Sequence, residues 1–220
     1  MCGKFAAQAS WAETTRIIEA LTGTAIGGGG NDREIVFRVM NDLPVIVWDK
    51  ETQTRRVVAM RWGFPHRDDP RRPDPIHVRA ETIDSKPTFR DAFHDGQRGI
   101  VIAKTFNEAP ESGRQHVITP GEMGAVGIAM LWRKFGDLTA CVMATVPANE
   151  LIAALPTDRM PALLSDDEDW AIWLGETPAS SERVKACLRT MEGTRWTMTP
   201  EQKAARPRGK PTVANPRGLF

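Results

Sequence analysis

The sequence predicts an α+β domain, one substantial sheet or barrel with a few short helices, and three observations carry that reading. Seven short apolar runs recur between residues 35 and 145, helical spacing is confined to short segments, and 220 residues of 41% hydrophobic content suit one core. Two domains would be cramped at this length.

In chain order, residues 10–21 place Trp11, Ile17, Ile18 and Leu21 at roughly helical spacing, with Ser10 as N-cap and Glu13 at the capping-box position. An amphipathic helix is expected there. Residues 27–30 are four glycines followed by Asn31-Asp32, a loop signal; no Gly-Lys-Ser/Thr follows, so it is no phosphate cradle. The apolar runs come next, at residues 35–37, 45–48, 56–60, 100–102, 116–118, 127–130 and 141–145, each read as a strand. Four prolines within residues 65–75, with Arg67, Arg71 and Arg72 among them, forbid regular helix or central strand and mark a surface loop. Short helices are expected at residues 149–154, 166–174 and 181–191; Trp170 and Trp173 share a face of the second, and Val184, Cys187, Leu188 and Met191 turn inward on the third. Residues 1–200 are expected to form the domain. Residues 201–220, with Lys203, Arg206, Arg208, Lys210 and Arg217 against the single acid Glu201, read as a basic, proline-rich tail.

Net charge of +1 favours no partner by itself, so a nucleic-acid face would have to come from local clusters: the arginines of residues 65–75 and the tail. The acids Asp68, Asp69 and Asp74 dilute the first of these. Cys2, Cys141 and Cys187 are odd in number and lack zinc spacing, and no secretory pattern opens the chain, so a reduced, cytoplasmic setting is expected. The apolar runs are too short to span a bilayer. His66, His77, His94 and His116 stand singly, so no metal and no cofactor is expected. Without a long heptad or an apolar surface stripe, a monomer is expected.

The most informative residue is Cys2, in the opening Met1-Cys2-Gly3. Methionine before so small a side chain is ordinarily trimmed, which would leave an amine and a thiol on adjacent carbons. An aldehyde can condense with that amine, whose ordinary pKa is about 8, and then be captured by the sulfur as a thiazolidine ring. Gly3 leaves room for close approach.

Met1-Cys2-Gly3-Lys4-Phe5, Trp62-Gly63 with Pro65, Arg79-Ala80-Glu81-Thr82, Phe106-Asn107-Glu108 and Asp158-Arg159-Met160-Pro161 occur in that order. Together they closely resemble the SOS-response-associated peptidase family, the abasic-site processing proteins, over about residues 1 to 175. Five ordered motifs in one chain are far more specific than any single one.

The resemblance implies a compact domain around a curved, barrel-like, mostly antiparallel sheet with flanking helices. It also implies covalent capping of abasic sites in single-stranded DNA through Cys2, with peptidase-type removal of Met1, in the DNA-damage response. By the same resemblance Glu108 handles protons, which requires it to lie within reach of the α-amine. Arg79 and Arg159 fall at positions that grip DNA, a task that suits Arg79's planar fork. Lys4 stands where the family usually has arginine, and Trp62 would offer an aromatic face for a base. Two positions depart from the pattern. His77 replaces an asparagine, and Thr157 replaces a histidine that assists imine chemistry; a threonine hydroxyl hydrogen-bonds but does not titrate near neutrality. His77 is therefore a candidate to supply the titratable group.

Other readings of the same residues stay open: Trp62 as a core residue, Arg79 in an ion pair with Glu81 or Asp84, His77 as a surface residue. Two rival functions also stand. An N-terminal-nucleophile glutamine amidotransferase begins with the same three residues, but this chain has no Asn-Gly pair for its oxyanion hole. A noncovalent DNA-binding module of the same fold is opposed by the presence of both Cys2 and Glu108.

Overall fold

The computed structural model describes residues 4–7, 35–66, 72–108, 114–121 and 126–201. The expected helix over residues 10–21, the glycine loop, Cys2, Arg67, Arg71 and the tail beyond residue 201 lie outside them. All seven expected strands form: β2 (Ile35–Arg38), β3 (Asp42–Asp49), β4 (Thr54–Trp62), β6 (Arg98–Ala103), β8 (His116–Thr119), β9 (Val126–Phe135) and β10 (Leu138–Pro147). Others join them: β1 (Lys4–Ala7), β5 (His77–Arg79), β7 (Thr105–Glu108), β11 (Arg159–Pro161), β12 (Leu163–Leu164) and β13 (Thr197–Pro200).

Strands β10, β4, β3, β6 and β9 follow one another, and β9 pairs back onto β10, closing a five-stranded barrel. Closure leaves no exposed edge on the barrel. All pairings are antiparallel except those of β10 with β4 and with β5, so the expected curved, mostly antiparallel sheet is present in a single compact α+β domain. A second sheet, in the order β13-β8-β7-β1-β2, carries the N-terminal segment.

The barrel strands are buried on both faces over much of their length. Leu43 and the run from Val45 to Val47 of β3 are buried, as are Ile100, Val101 and Ile102 of β6 and the whole run from Ala140 to Val146 in β10. Gly99 lets the strands close on one another: a Cβ there would lie 2.5 Å from Val45 Cγ1 and 3.0 Å from the Ile46 carbonyl. No side chain fits.

Among the described residues, four short helices lie outside the sheets: α1 (Arg90–His94), α2 (Glu150–Ala153), α3 (Asp167–Leu174) and α4 (Ser181–Ala186). Asp166 caps α3 by accepting from the Asp169 amide, and Gly175 ends it in the left-handed conformation at φ 87°. Both tryptophans of α3 are buried and tied to the barrel, Trp170 Nε1 donating to the Leu164 carbonyl and Trp173 Nε1 to that of Gly99. The helix expected over residues 181–191 is shorter than its apolar spacing implies, ending at Ala186. Val184, Cys187 and Leu188 are nonetheless buried. Lys185 of α4 pairs with Asp84 at 2.8 Å.

Candidate functional site

The N-terminal strand is held by the segment that contains Glu108. In the β1–β7 register Lys4 lies opposite Asn107, Phe5 opposite Phe106 and Ala6 opposite Thr105. Phe106 is fully buried and anchors β7 in the core, where its ring meets Trp196 edge-on at 6.1 Å. Glu108 ends the strand and is 1% exposed. A carboxyl group so placed is a poor solvated charge and a good proton carrier. Burial of the two polar neighbours, Asn107 and Thr105, continues on the other face, where Asn107 Nδ2 and Thr105 Oγ1 have no hydrogen-bond partner among the described residues.

A separate cleft of about 630 Å³ opens beside β5 and β10 and holds His77, Arg79, Thr82, Ser85, Lys86 and Arg159 in its lining. The parallel pairing of β5 with β10 builds it, setting His77 beside Met143 and Arg79 beside Thr145. Antiparallel β11 brings Arg159 to the same end of β10, opposite Pro147. His77, Arg79 and Lys86 together with the hydroxyls of Thr82, Ser85 and Thr145 around one opening suit an anionic group such as a phosphate.

The Arg79 side chain is exposed and forms no ion pair among the described residues, though its charge helps to lower the pKa of Glu81. Its alternative partners are occupied elsewhere, Glu81 by Arg159 and Asp84 by Lys185. Arg159 is arranged differently. Its side chain is 8% exposed, and its fork donates to both Glu81 oxygens at 2.6 and 2.9 Å and to the Thr145 carbonyl. This hydrogen-bonded guanidinium holds the Glu81 carboxyl below its usual range. The role of Arg159 visible in the geometry is thus to brace β11, the 3-10 turn Ala80–Thr82 and β10 behind Arg79.

Trp62 requires a correction. It is fully buried, its indole N–H donates to the Ile76 carbonyl at 3.0 Å, and its ring meets His77 edge-on at 6.3 Å. It has no face to offer a base. Gly63 turns the chain behind it at φ 125°, with its amide donating to the Cys141 carbonyl at 2.8 Å, so the Trp-Gly pair acts as a packing corner under His77. Thr157 precedes β11 and closes on local backbone: its hydroxyl donates to the Arg159 carbonyl at 3.3 Å. Lys4 is placed by its backbone in β1, and Cys2 lies outside the described residues.

His77, Arg79 and Arg159 are therefore brought to one cleft, with Trp62 beneath it, while Glu108 lies on the second sheet with β1. Sequence reading missed Thr82, Ser85 and Lys86 as lining. The signal was there in principle, since all three follow Arg79 within seven positions. Among the described residues no cluster of acids, cysteines and histidines is fit to hold a metal, and no helix is long and apolar enough to cross a membrane.

The model of the SOS response associated peptidase (SRAP) family matches residues 1–205. The chain belongs to this family. Membership associates it with the SOS response and a peptidase-like activity, in a role related to DNA damage. Solved structures agree on the fold. A Bordetella bronchiseptica protein superposes with a TM-score of 0.73 at 18% identity, covering 92% of this chain and 100% of its own. A phage-related protein from the same organism gives 0.69 at 18% identity, with 92% and 95% covered. A Bacteroides thetaiotaomicron protein gives 0.68 at 15% identity, with 91% and 92% covered. No curated protein matches.

Proposed function

We propose that this SRAP-family chain caps abasic sites in single-stranded DNA, forming a thiazolidine between the ring-opened sugar aldehyde and Cys2 once Met1 has been removed. The observation that carries the reading is the β1–β7 register: Lys4 is opposite Asn107, one residue from buried Glu108. Two peptide steps separate Lys4 from Cys2, a reach of about 7 Å between Cα atoms. That reach supports a pairing of the Cys2 amine with the Glu108 carboxyl, which proton transfer to an amine or a departing hydroxyl requires.

The chemistry balances without any other reactant. The amine adds to the aldehyde carbon to give a carbinolamine, which expels water as a proton reaches its hydroxyl, leaving an imine. The thiolate then attacks the imine carbon, the C–S bond forms, and a proton goes to nitrogen. Glu108 gives and takes the proton at nitrogen and hydroxyl. The same group would serve the cleavage that frees the Cys2 amine.

Arg79 and Lys86 hold the phosphates that flank the lesion, with Lys4 contributing from the start of β1 as a point charge in place of a fork. Arg159 supports this grip through Glu81. His77, at the mouth of the cleft, supplies the titratable group that Thr157 lacks; His77→Asn is expected to slow capture, and an unchanged rate removes His77 from the mechanism. The functional unit is residues 1–200.

The test is to confirm by mass that Met1 is absent, then mix the protein with single-stranded DNA bearing one abasic site and resolve the products on a denaturing gel. A DNA-linked band lost in Cys2→Ala is expected. No band from trimmed protein would refute covalent capture, leaving noncovalent DNA binding or, if glutamine is hydrolysed, the amidotransferase reading.

A further inference from the structure

Strand β8 sets His116 directly opposite Glu108 in the antiparallel register and, on its other side, opposite Pro200 of β13. Directly opposed residues share a face of the sheet with their Cβ atoms about 5 Å apart. His116 and Glu108 therefore leave the same face of the second sheet from facing positions at its end. His116 is half-buried, and its Nδ1 is shut off from solvent with no hydrogen-bond partner among the described residues. Buried polar atoms are ordinarily satisfied, and one that is not calls for a reason such as a proton, a water or a ligand.

The rest of the molecule sharpens that reason. Thr157, where the family pattern expects a histidine, has its hydroxyl turned onto the Arg159 backbone. His77 lines the cleft on β5, in the other sheet from Glu108, and His94 makes a 3.0 Å contact to the Asp84 carbonyl. Of the four histidines, only His116 is in register with Glu108.

Few other charges compete for it among the described residues. From β7 the group facing His116 is Glu108, and from β13 it is uncharged Pro200. Arg114 and Glu201 lie just beyond, joined where the Arg114 Nε donates to the Glu201 carbonyl at 3.0 Å and the Glu201 amide to that of Gln115 at 2.7 Å.

We propose that His116 is the positioning residue for Glu108, the charge of its imidazole setting how readily that carboxyl holds its proton. This rests on the reading of Glu108 as the proton-handling group of the capture site. Histidine is the side chain whose charge ordinarily changes between pH 5 and 8. An imidazolium beside Glu108 favours the carboxylate, and loss of that charge favours the acid. The rate of imine formation thereby acquires a pH dependence that a carboxyl alone would not give it near neutrality.

Two measurements test this separately from the capture reading. The His116 ring resonances are recorded by NMR in the wild type and in Glu108→Gln, with no DNA present. They are expected to move in the variant, because the carboxylate facing the ring is gone; unchanged resonances overturn the proposal. Secondly, His116→Asn keeps a nitrogen near the place of Nδ1 but does not titrate. The pH profile of Cys2–DNA band formation is expected to flatten between pH 5 and 8, with about a tenfold lower rate at its optimum and an unchanged melting temperature. A profile that keeps its shape overturns the proposal, and it decides alone if Glu108→Gln does not fold. If the wild type gives no Cys2-dependent band, the capture reading fails, and the imidazole resonances still read whether the two side chains are neighbours.

Discussion

Replacing Glu81 by glutamine should loosen the protein at the base of the cleft, and the geometry fixes by how much. Arg159 gives two hydrogen bonds of 2.6 and 2.9 Å to the Glu81 carboxylate, with its own side chain 8% exposed and that of Glu81 48% exposed. Removing one partner of a fully buried pair costs about 3–5 kcal/mol, because the other charge is stranded. An exposed pair is worth about 0–1 kcal/mol. Here the guanidinium is buried but water can reach the carboxylate, and the Thr145 carbonyl remains as an acceptor, so a cost of about 2 kcal/mol follows from those two limits. For a chain of this length that is a fall of about 6 °C in melting temperature. The pH dependence carries a sign. The Arg159 hydrogen bond lowers the Glu81 pKa in the folded state, so the stabilisation is complete above the ordinary carboxyl value and disappears as pH falls through the lowered one. Thermal unfolding followed by circular dichroism at pH 7 and pH 3 is the assay. The gap between wild type and Glu81→Gln should narrow at the lower pH. A melting temperature within about 1 °C of wild type at pH 7, or a gap that persists undiminished at pH 3, would refute the reasoning.

Two further outcomes follow from burial. Trp62→Ala should cost about 3–5 kcal/mol by opening a cavity beneath His77, whereas Trp62→Phe should leave single-stranded DNA affinity within about twofold, since a ring with no exposed face has no stacking to lose. A tenfold loss of affinity in the phenylalanine variant, measured by fluorescence anisotropy, would restore Trp62 as a base platform. The thiols should separate cleanly in a titration with a coloured disulfide reagent. Burial pushes the Cys141 thiol far up and that of Cys187 up to about 11, so neither forms thiolate near neutrality. One equivalent, assignable to Cys2 by its loss in Cys2→Ala, should react in native protein and three after unfolding; fast reaction of a second thiol in the native state would contradict the burial of both.

The strands that build the barrel were legible as apolar runs because each is buried on at least one face, and burial imposes a local pattern that survives in the residue order. β1, β5 and β7 carried no such pattern. Lys4–Ala7, His77–Arg79 and Thr105–Glu108 are three or four residues long with polar members, and they are strands because partners far away in the chain accept their hydrogen bonds. The end of α4 at Ala186 was missed for a similar reason: Cys187 and Leu188 are buried by neighbouring elements, so their apolar spacing continues beyond the helix.

The candidate site divides along the same line. Sequence alone determined which chemical groups the chain possesses: a thiol at Cys2, a glutamate in a recognisable setting at Glu108, a basic Arg79 and a threonine where a histidine was expected. It could do so because functional group and motif order are properties of the covalent chain. Only tertiary structure decided what surrounds each group. Trp62 became a packing residue when β4 closed against β10, Arg159 became a brace when β11 brought it within reach of Glu81, and His116 became a neighbour of Glu108 through the pairing of β7 with β8. Solvent access and charge partners arise from contacts between residues remote in the chain, and those exist only after the strands have found their register.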